Sequence, residues 1–390
     1  MIAAPRALVT DGEHRAVLAA CRGLRRAGYA VTVSSPRRVA MAAWSRATER
    51  KITLPDPGAS PRRFVDALRD RVASGSWDVL VPGTEASLLT ISEARDELEP
   101  HVALGLPPHP VVLGSLDKHL LQRVAADAGL ASPASVPCKD RVEAVAAATD
   151  LGFPVVVKPA RSFQAALDAP HGALKQRGAI IVQEKSGLDA ALRRVGEPLT
   201  VQRFVPNAQI VSCAGVRLPD GLAGFTVARY VRTWAPRVGS AAFARTVEPP
   251  DGLRGRIEDI LARIGWIGIF ELELLDEGAG RLETIDLNPR LFGWLSLAVG
   301  AGANLPAIWC NHVLRRGGGV AADAAPGHYY RWEEGELKYV VRHAQKFNRR
   351  AFAPLRPHRN VVHACFELRD PAPLLAQALE VVGSLFKRKA

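Results

Sequence analysis

Residues 270–294, FELELLDEGAGRLETIDLNPRLFGW, gather the side chains of this sequence best suited to chemistry. Two apolar runs, Ile269–Leu275 and Arg281–Leu287, flank the turn DEGAG and read as a β-hairpin. Side chains alternate faces along a strand, so Glu271 and Glu273 share one face, as do Asp286 and Asn288. Like charges on facing strands repel. A divalent cation between them reverses that penalty, and Mg²⁺ accepts carboxylate and amide oxygens together with phosphates. A solvated, acid-rich hairpin face is the alternative for the same pattern.

The hairpin ends in Asn288-Pro289-Arg290, and three earlier segments accompany it in order. Leu116-Asp117-Lys118 opens a helix, with Pro133 following Gly129-Leu130. Gly152–Pro159 reads GFPVVVKP, and Val201–Pro206 reads VQRFVP. Together they resemble the ATP-grasp superfamily, in the pattern of its carboxylate–amine ligase, carbamoyl-phosphate-synthase-like branch. Gly300–Pro306, GAGANLP, extends the likeness.

The resemblance implies an ATP-dependent ligase that activates a carboxylate as an acyl phosphate and joins it to an amine or similar nucleophile. It implies ATP and Mg²⁺, or Mn²⁺ in its place. Lys118 and Lys158 would meet the ATP phosphates, because a triphosphate in a dry cleft must be neutralised. Gln202, Arg203, Phe204 and Val205 would form the adenine-binding hinge, Arg203 and Val205 through their backbone. Glu273, Asp286 and Asn288 would hold the metal, with Glu271 the alternative to Glu273. Arg290 would stabilise the transferring phosphoryl group, with Lys158 and Arg232 the other catalytic residues.

Three departures stand out. Gln202 replaces a common Glu, and Asp286 another. The interval RSFQAALDAPHGALKQRGA has only Gly172 and Gly178 where relatives carry a glycine-rich lid, so His171 or Lys175 would have to contribute there. Arg229, Arg232 and Arg237 follow the hinge, and alternation lets at most one of Arg229 and Arg232 face the site. Glu85, after Pro82-Gly83-Thr84, either borders the cleft or caps a surface helix.

The elements that must position these residues follow from periodicity. Strands and helices alternate at the start: Ala7–Thr10, then a helix over His14–Ala27 with Val17, Ala20, Cys21 and Leu24 on one face, then Tyr29–Ser34. This predicts a Rossmann-like parallel sheet, although Thr10-Asp11-Gly12-Glu13 is no dinucleotide fingerprint. The expected fold class is therefore α/β and α+β, an ATP-grasp fold behind an N-terminal Rossmann-like, pre-ATP-grasp domain. Expected units are 1–112 for that domain, 113–205 for the small lobe or lid, 206–320 for the metal-bearing lobe, and 321–390 for a helical extension. That extension ends in a helix striped by Leu375, Leu379, Val382 and Phe386.

Composition sets the outer limits. The 390 residues are 48% hydrophobic and 23% charged, as in ordinary globular proteins. No apolar run spans a bilayer, and no signal-peptide pattern opens the chain. Five cysteines are scattered without CxxC, which argues against a disulfide framework and a zinc site and for a reducing cytoplasm. The net charge of +12 attracts anions, but its basic residues are dispersed and without interleaved aromatics, so nucleic acid is not expected. Small-molecule carboxylate and amine substrates are the expected partners, with a homodimer among the expected forms. Two rivals differ in class: a catalytically quiet nucleotide-binding regulator, and a polyanion-surface binder drawn by the charge and the FKRKA tail.

Overall fold

The computed structural model describes residues 3–159, 178–236, 239–278, 280–317, 321–344, 352–354 and 356–387. His171, Gly172, Lys175 and Arg237 lie outside them. The chain opens with β1 (Arg6–Val9), α1 (Arg15–Arg26), β2 (Ala30–Ser35), β3 (Arg50–Thr53), α2 (Pro61–Val72), β4 (Val79–Val81), α3 (Glu85–Glu93), α4 (Arg95–Leu98) and α5 (His109–Ser115). The four strands form a sheet in the order β3-β2-β1-β4, every pair parallel. Both faces are covered. Val9, Val31 and Val33 pack with α1, whereas Leu8 and Leu80 pack with Phe64 and Leu68 of α2.

The helix α6 (Lys118–Asp127) leads to a second, smaller sheet. It contains β5 (Ser135–Cys138), α7 (Arg141–Leu151), β6 (Val155–Pro159), β7 (Ile180–Val182), α8 (Leu188–Val195) and β8 (Leu199–Arg203), with strands antiparallel in the order β5-β8-β6-β7. Asp140 caps α7 by accepting from the Glu143 amide at 3.0 Å, and Gly152 at φ 73° turns the chain out of it. The buried VVV of β6 is thereby delivered into the sheet, with Lys158 at its end.

The remaining elements are β9 (Gln209–Leu218), β10 (Gly221–Trp234), β11 (Ser240–Val247), α9 (Leu253–Ile264), β12 (Gly268–Asp276), β13 (Leu282–Asn288), α10 (Leu295–Gly300), α11 (Leu305–Val313), β14 (Tyr329–Arg331), α12 (Glu333–Ala344), β15 (Val361–His363) and α13 (Ala372–Lys387). Seven strands form one sheet in the order β13-β12-β9-β10-β11-β14-β15. Alternation divides its strands between two cores. Val211, Cys213, Leu272 and Leu274 join α6 and α9 on one face, while Ile210, Ala214, Val216 and Ile269 join α1, α10 and α11 on the other.

Two expectations are corrected here. Residues 321–390 are more than a helical extension, because β14 and β15 complete the large sheet. After the hairpin the chain passes through a turn that buries Leu291 and Phe292 before α10 begins at Leu295. Finally, Leu375 and Leu379 of α13 are exposed, and Ala376 and Gln377 face inward instead. The segment before α13 is latched to α1 and to the loop that follows β2. Asp370 accepts from Arg22 Nη2 at 2.9 Å, Ser45 Oγ at 2.6 Å and the Arg46 amide at 2.9 Å. Among the described residues, no helix is long and apolar enough to cross a membrane.

Candidate active site

A cleft of about 580 Å³ lies between the small sheet and the large one. Its walls include Lys118, Lys158, Gln202, Arg203, Phe204, Val205, Arg232, Glu273, Asp286, Asn288 and Arg290, so every residue singled out above for catalysis, nucleotide or metal borders it.

The hairpin register pairs Glu271 with Asn288 and Glu273 with Asp286, and a bulge beyond Glu273 shifts the ladder before Leu274 meets Thr284. Four polar side chains of two strands thus reach one patch. The two glutamates differ in their surroundings. Glu271 is held by donors from four other residues: Ser212 Oγ at 2.8 Å, Tyr230 Oη at 3.0 Å, Trp294 Nε1, and Asn288 Nδ2 at 3.1 Å. Glu273 accepts from Tyr230 Oη at 2.9 Å. Burial, and then the neighbouring charges of Glu271 and Asp286, push the Glu273 carboxyl up to about 8. Burial also raises Glu271, against the pull of its donors.

The cations approach from the other side. Asp117 caps α6 through the amides of His119 and Leu120, at 2.8 and 3.1 Å, which fixes Lys118 in the first turn. Lys118 Nζ then donates to Asp286 Oδ1 at 2.6 Å. Burial alone would raise the Asp286 carboxyl, but the charges of Lys118 and Lys158 hold it below the usual range. Lys158 Nζ donates to Gln202 Oε1 at 3.1 Å, and Gln202 Nε2 donates to Ser135 Oγ at 2.9 Å. The Gln202 side chain is therefore engaged with Lys158, an arrangement not anticipated for an adenine contact. Burial, and secondly the like charge of Lys118, bring the Lys158 ammonium down to about 7, against the pull of Asp286 and Glu273.

Arg290 donates from Nη2 to Asn288 Oδ1 and from Nη1 to the Leu291 carbonyl, both at 2.9 Å. Its buried Nε has no partner among the described residues. Arg232 borders the cleft but is committed to Glu336, donating at 2.8 Å from Nε and 2.5 Å from Nη2, and it lies 4.3 Å from the Phe243 ring centroid. Arg229 pairs with Asp276 and Gln209 away from this patch. The Arg203 side chain bonds Glu283 at 2.9 Å. Thr84 caps α3 in a reciprocal box with Ser87, and Glu85 begins that helix. Burial raises the Glu85 carboxyl, with Arg290, Asp286 and Lys118 as its nearest charged influences. Glu85 opens the helix and feels the charges of the site without lining the cleft.

Tyr230, Ser212 and Trp294 were not anticipated from sequence. They lie on β10, on β9 and just before α10, respectively, and no local motif links them to Glu271.

The donors of this patch suit a hard divalent cation. No group of three or more His, Cys, Asp and Glu side chains arranged to hold a metal is found among the described residues. Mg²⁺ does not require one, because it binds through one or two carboxylates and completes its shell with phosphate oxygens and water. Glu273 and Asp286, paired across the ladder beside an amide oxygen, meet that requirement. The charge balance fits too: the carboxylate raised by burial would be relieved by a cation, and the depressed lysine by phosphate.

A parallel α/β unit, a small antiparallel sheet and a large, mostly antiparallel sheet bordering such a cleft are the layout of the ATP-grasp fold. No protein-family model matches the chain, and no curated protein matches it. Solved structures do. N5-carboxyaminoimidazole synthetase from Staphylococcus aureus, complexed with ADP, superposes with a TM-score of 0.64 at 13% identity, covering 83% of this chain and 80% of that one. The L-amino acid ligase from Bacillus licheniformis gives 0.62 at 15% identity, covering 83% and 78%. The biotin carboxylase domain dimer of Hydrogenobacter thermophilus 2-oxoglutarate carboxylase, solved with MgADP and bicarbonate, gives 0.62 at 14% identity, covering 83% and 73%. At such identities the likeness is one of fold.

Proposed function

We propose that this chain is an ATP-dependent ligase that phosphorylates a carboxylate on ATP and transfers the acyl group to an amine or similar nucleophile. The observation that carries the reading is the meeting of Lys118 and Lys158 with Glu273, Asp286 and Asn288 in one cleft. Two lysines facing an acidic hairpin form a complementary frame for a polyphosphate with its cation.

In this reading, Lys118 and Lys158 neutralise the phosphates, and residues 202–205 line the adenine end. Glu273, Asp286 and Asn288 would hold Mg²⁺, which supplies charge neutralisation at the phosphoryl oxygens. Glu271 is too heavily hydrogen-bonded to be the first choice and acts instead as the anchor that orders Tyr230, Trp294 and Asn288. The substrate carboxylate attacks the γ-phosphorus, ADP departs, and the second substrate displaces phosphate from the acyl carbon. Arg290, positioned by Asn288, offers its planar fork to the oxygens that carry charge during both transfers. Arg232 serves as a structural support through Glu336 rather than as a direct participant. We place the reaction in the cytoplasm, and the dimer formed by the Hydrogenobacter domain makes a homodimer the state to test by light scattering.

The test is an ADP-release screen over carboxylate and amine pairs, with Asn288→Ala as the control. The reading requires at least one pair whose turnover needs both substrates and is lost in the variant. Nucleotide binding without any such turnover would assign the chain to the catalytically quiet class.

A further inference from the structure

We infer that Ser135, acting through Gln202, aims the Lys158 ammonium at the phosphates of the nucleotide, and so is a positioning residue for the proposed reaction. The inference rests on Lys158 meeting those phosphates, as in the reading above. Gln202 and Lys158 line the cleft, whereas Ser135 stands behind them and is not part of its wall.

Strand register brings the three side chains to one face of the small sheet. Ser135 of β5 lies opposite Gln202 of β8, and Gln202 lies opposite Val156 of β6. Lys158 is two residues beyond Val156, so it shares that face and sits diagonal to Gln202.

Hydrogen-bonding chemistry gives this row a single direction. Ser135 Oγ donates its one proton to the Pro133 carbonyl at 2.8 Å, which leaves the oxygen to act only as an acceptor toward Gln202. It accepts from Gln202 Nε2 at 2.9 Å, and this turns Oε1 toward Lys158 Nζ, 3.1 Å away. The reverse amide orientation would set donor against donor at Lys158 and acceptor against acceptor at Ser135. One of the three ammonium donors is thereby fixed, which sets the direction of the other two. Gln202 and Lys158 are only 5% and 8% exposed, so bulk water does not readily replace a lost partner.

The charges acting on Lys158 come from other elements: Lys118 of α6, Asp286 of β13 and Glu273 of β12. Replacing Ser135 alters none of them, so an effect on Lys158 must be transmitted by the Gln202 amide. Without the hydroxyl, that amide is free to turn its NH2 group toward the ammonium. The charged form of Lys158 then loses its acceptor and is harder to keep protonated.

The experiment is calorimetric titration of the whole chain with ADP and saturating Mg²⁺ at several pH values. Ser135→Ala should bring the pH at which affinity declines down by about one unit. Affinity would then be about tenfold weaker than wild type at roughly pH 8.5, and no more than about twofold weaker at roughly pH 6. Near-normal binding at the lower pH also shows that the variant folds. Ser135→Thr keeps the hydroxyl and suits a strand, so it should restore the wild-type curve. In a chain that already carries Gln202→Met, Ser135→Ala should have no further effect. An equal loss of affinity at every pH, a Ser135→Ala curve that follows the wild type, failure of threonine to rescue, or a further loss in the Gln202→Met background would overturn the inference while leaving the nucleotide site in place. A wild-type chain that binds no ADP would overturn the site itself, and the inference with it.

Discussion

Replacing Gln202 by Glu should move the pH at which nucleotide affinity declines. In the structure Lys158 Nζ sits 3.1 Å from a neutral amide oxygen, while burial and the charge of Lys118 bring its ammonium down to about 7. Phosphates recruit the charged form, which is present below that value and lost as pH rises through it. ADP affinity should therefore fall by about thirtyfold between roughly pH 6 and roughly pH 8.5, the factor set by the fraction of Lys158 that must first be protonated. A carboxylate in the place of the amide adds an opposite charge at the same distance. At an effective dielectric constant of about 20 the attraction is about 5 kcal/mol before desolvation of the new carboxylate. The net effect should be a rise of about 1–3 pKa units. Calorimetric titration of ADP at fixed, saturating Mg²⁺ across this range reads both curves. The variant should hold its affinity to about one unit higher or more. A wild-type affinity that is flat across the range, or a variant that follows the wild-type curve, would refute the reasoning.

Other consequences can be checked more briefly. Arg290→Ala should reduce ADP release by about 10²–10³-fold while leaving ADP binding nearly intact, since the proposed role is in the transition state. A parallel loss of binding would contradict that role. Tyr230→Phe removes the hydroxyl shared by Glu271 and Glu273, so the Glu273 carboxyl should rise further above about 8. The Mg²⁺ concentration needed for ADP binding should then increase at neutral pH and recover in alkali, and an unchanged requirement argues against Glu273 as a ligand. Asp370→Ala strands the buried Arg22 guanidinium and should cost about 3–5 kcal/mol. That loss should appear as a lower urea midpoint for the segment it latches, and an unmoved midpoint would mean the latch contributes nothing.

The hairpin was legible because its information is local. Alternation along ELE and IDLN, with a short turn between them, sets which side chains face each other, and the observed pairs Glu271–Asn288 and Glu273–Asp286 follow. The cap at Asp117 and the VVVK strand were legible for the same reason. What escaped was long-range. Tyr230 and Ser212 reach Glu271 only because β9 lies between β12 and β10, an order that no local pattern encodes. The strands β14 and β15 span three residues each, too short for periodicity to register. Arg232 looked like a site residue by type and position. Its commitment to Glu336 depends on α12, which is 104 residues away in sequence. The exposed Leu375 and Leu379 show the same limit: a stripe at helical spacing does not say which side of the helix meets the core.

The most direct test is a crystal structure with a non-hydrolysable ATP analogue and Mn²⁺, located by its anomalous scattering. The account requires a Mn²⁺ peak within coordination distance of Asp286 and Glu273, with the phosphates against Lys118 and Lys158 and the base beside residues 202–205. A nucleotide bound elsewhere, or a metal peak away from the hairpin, would contradict it.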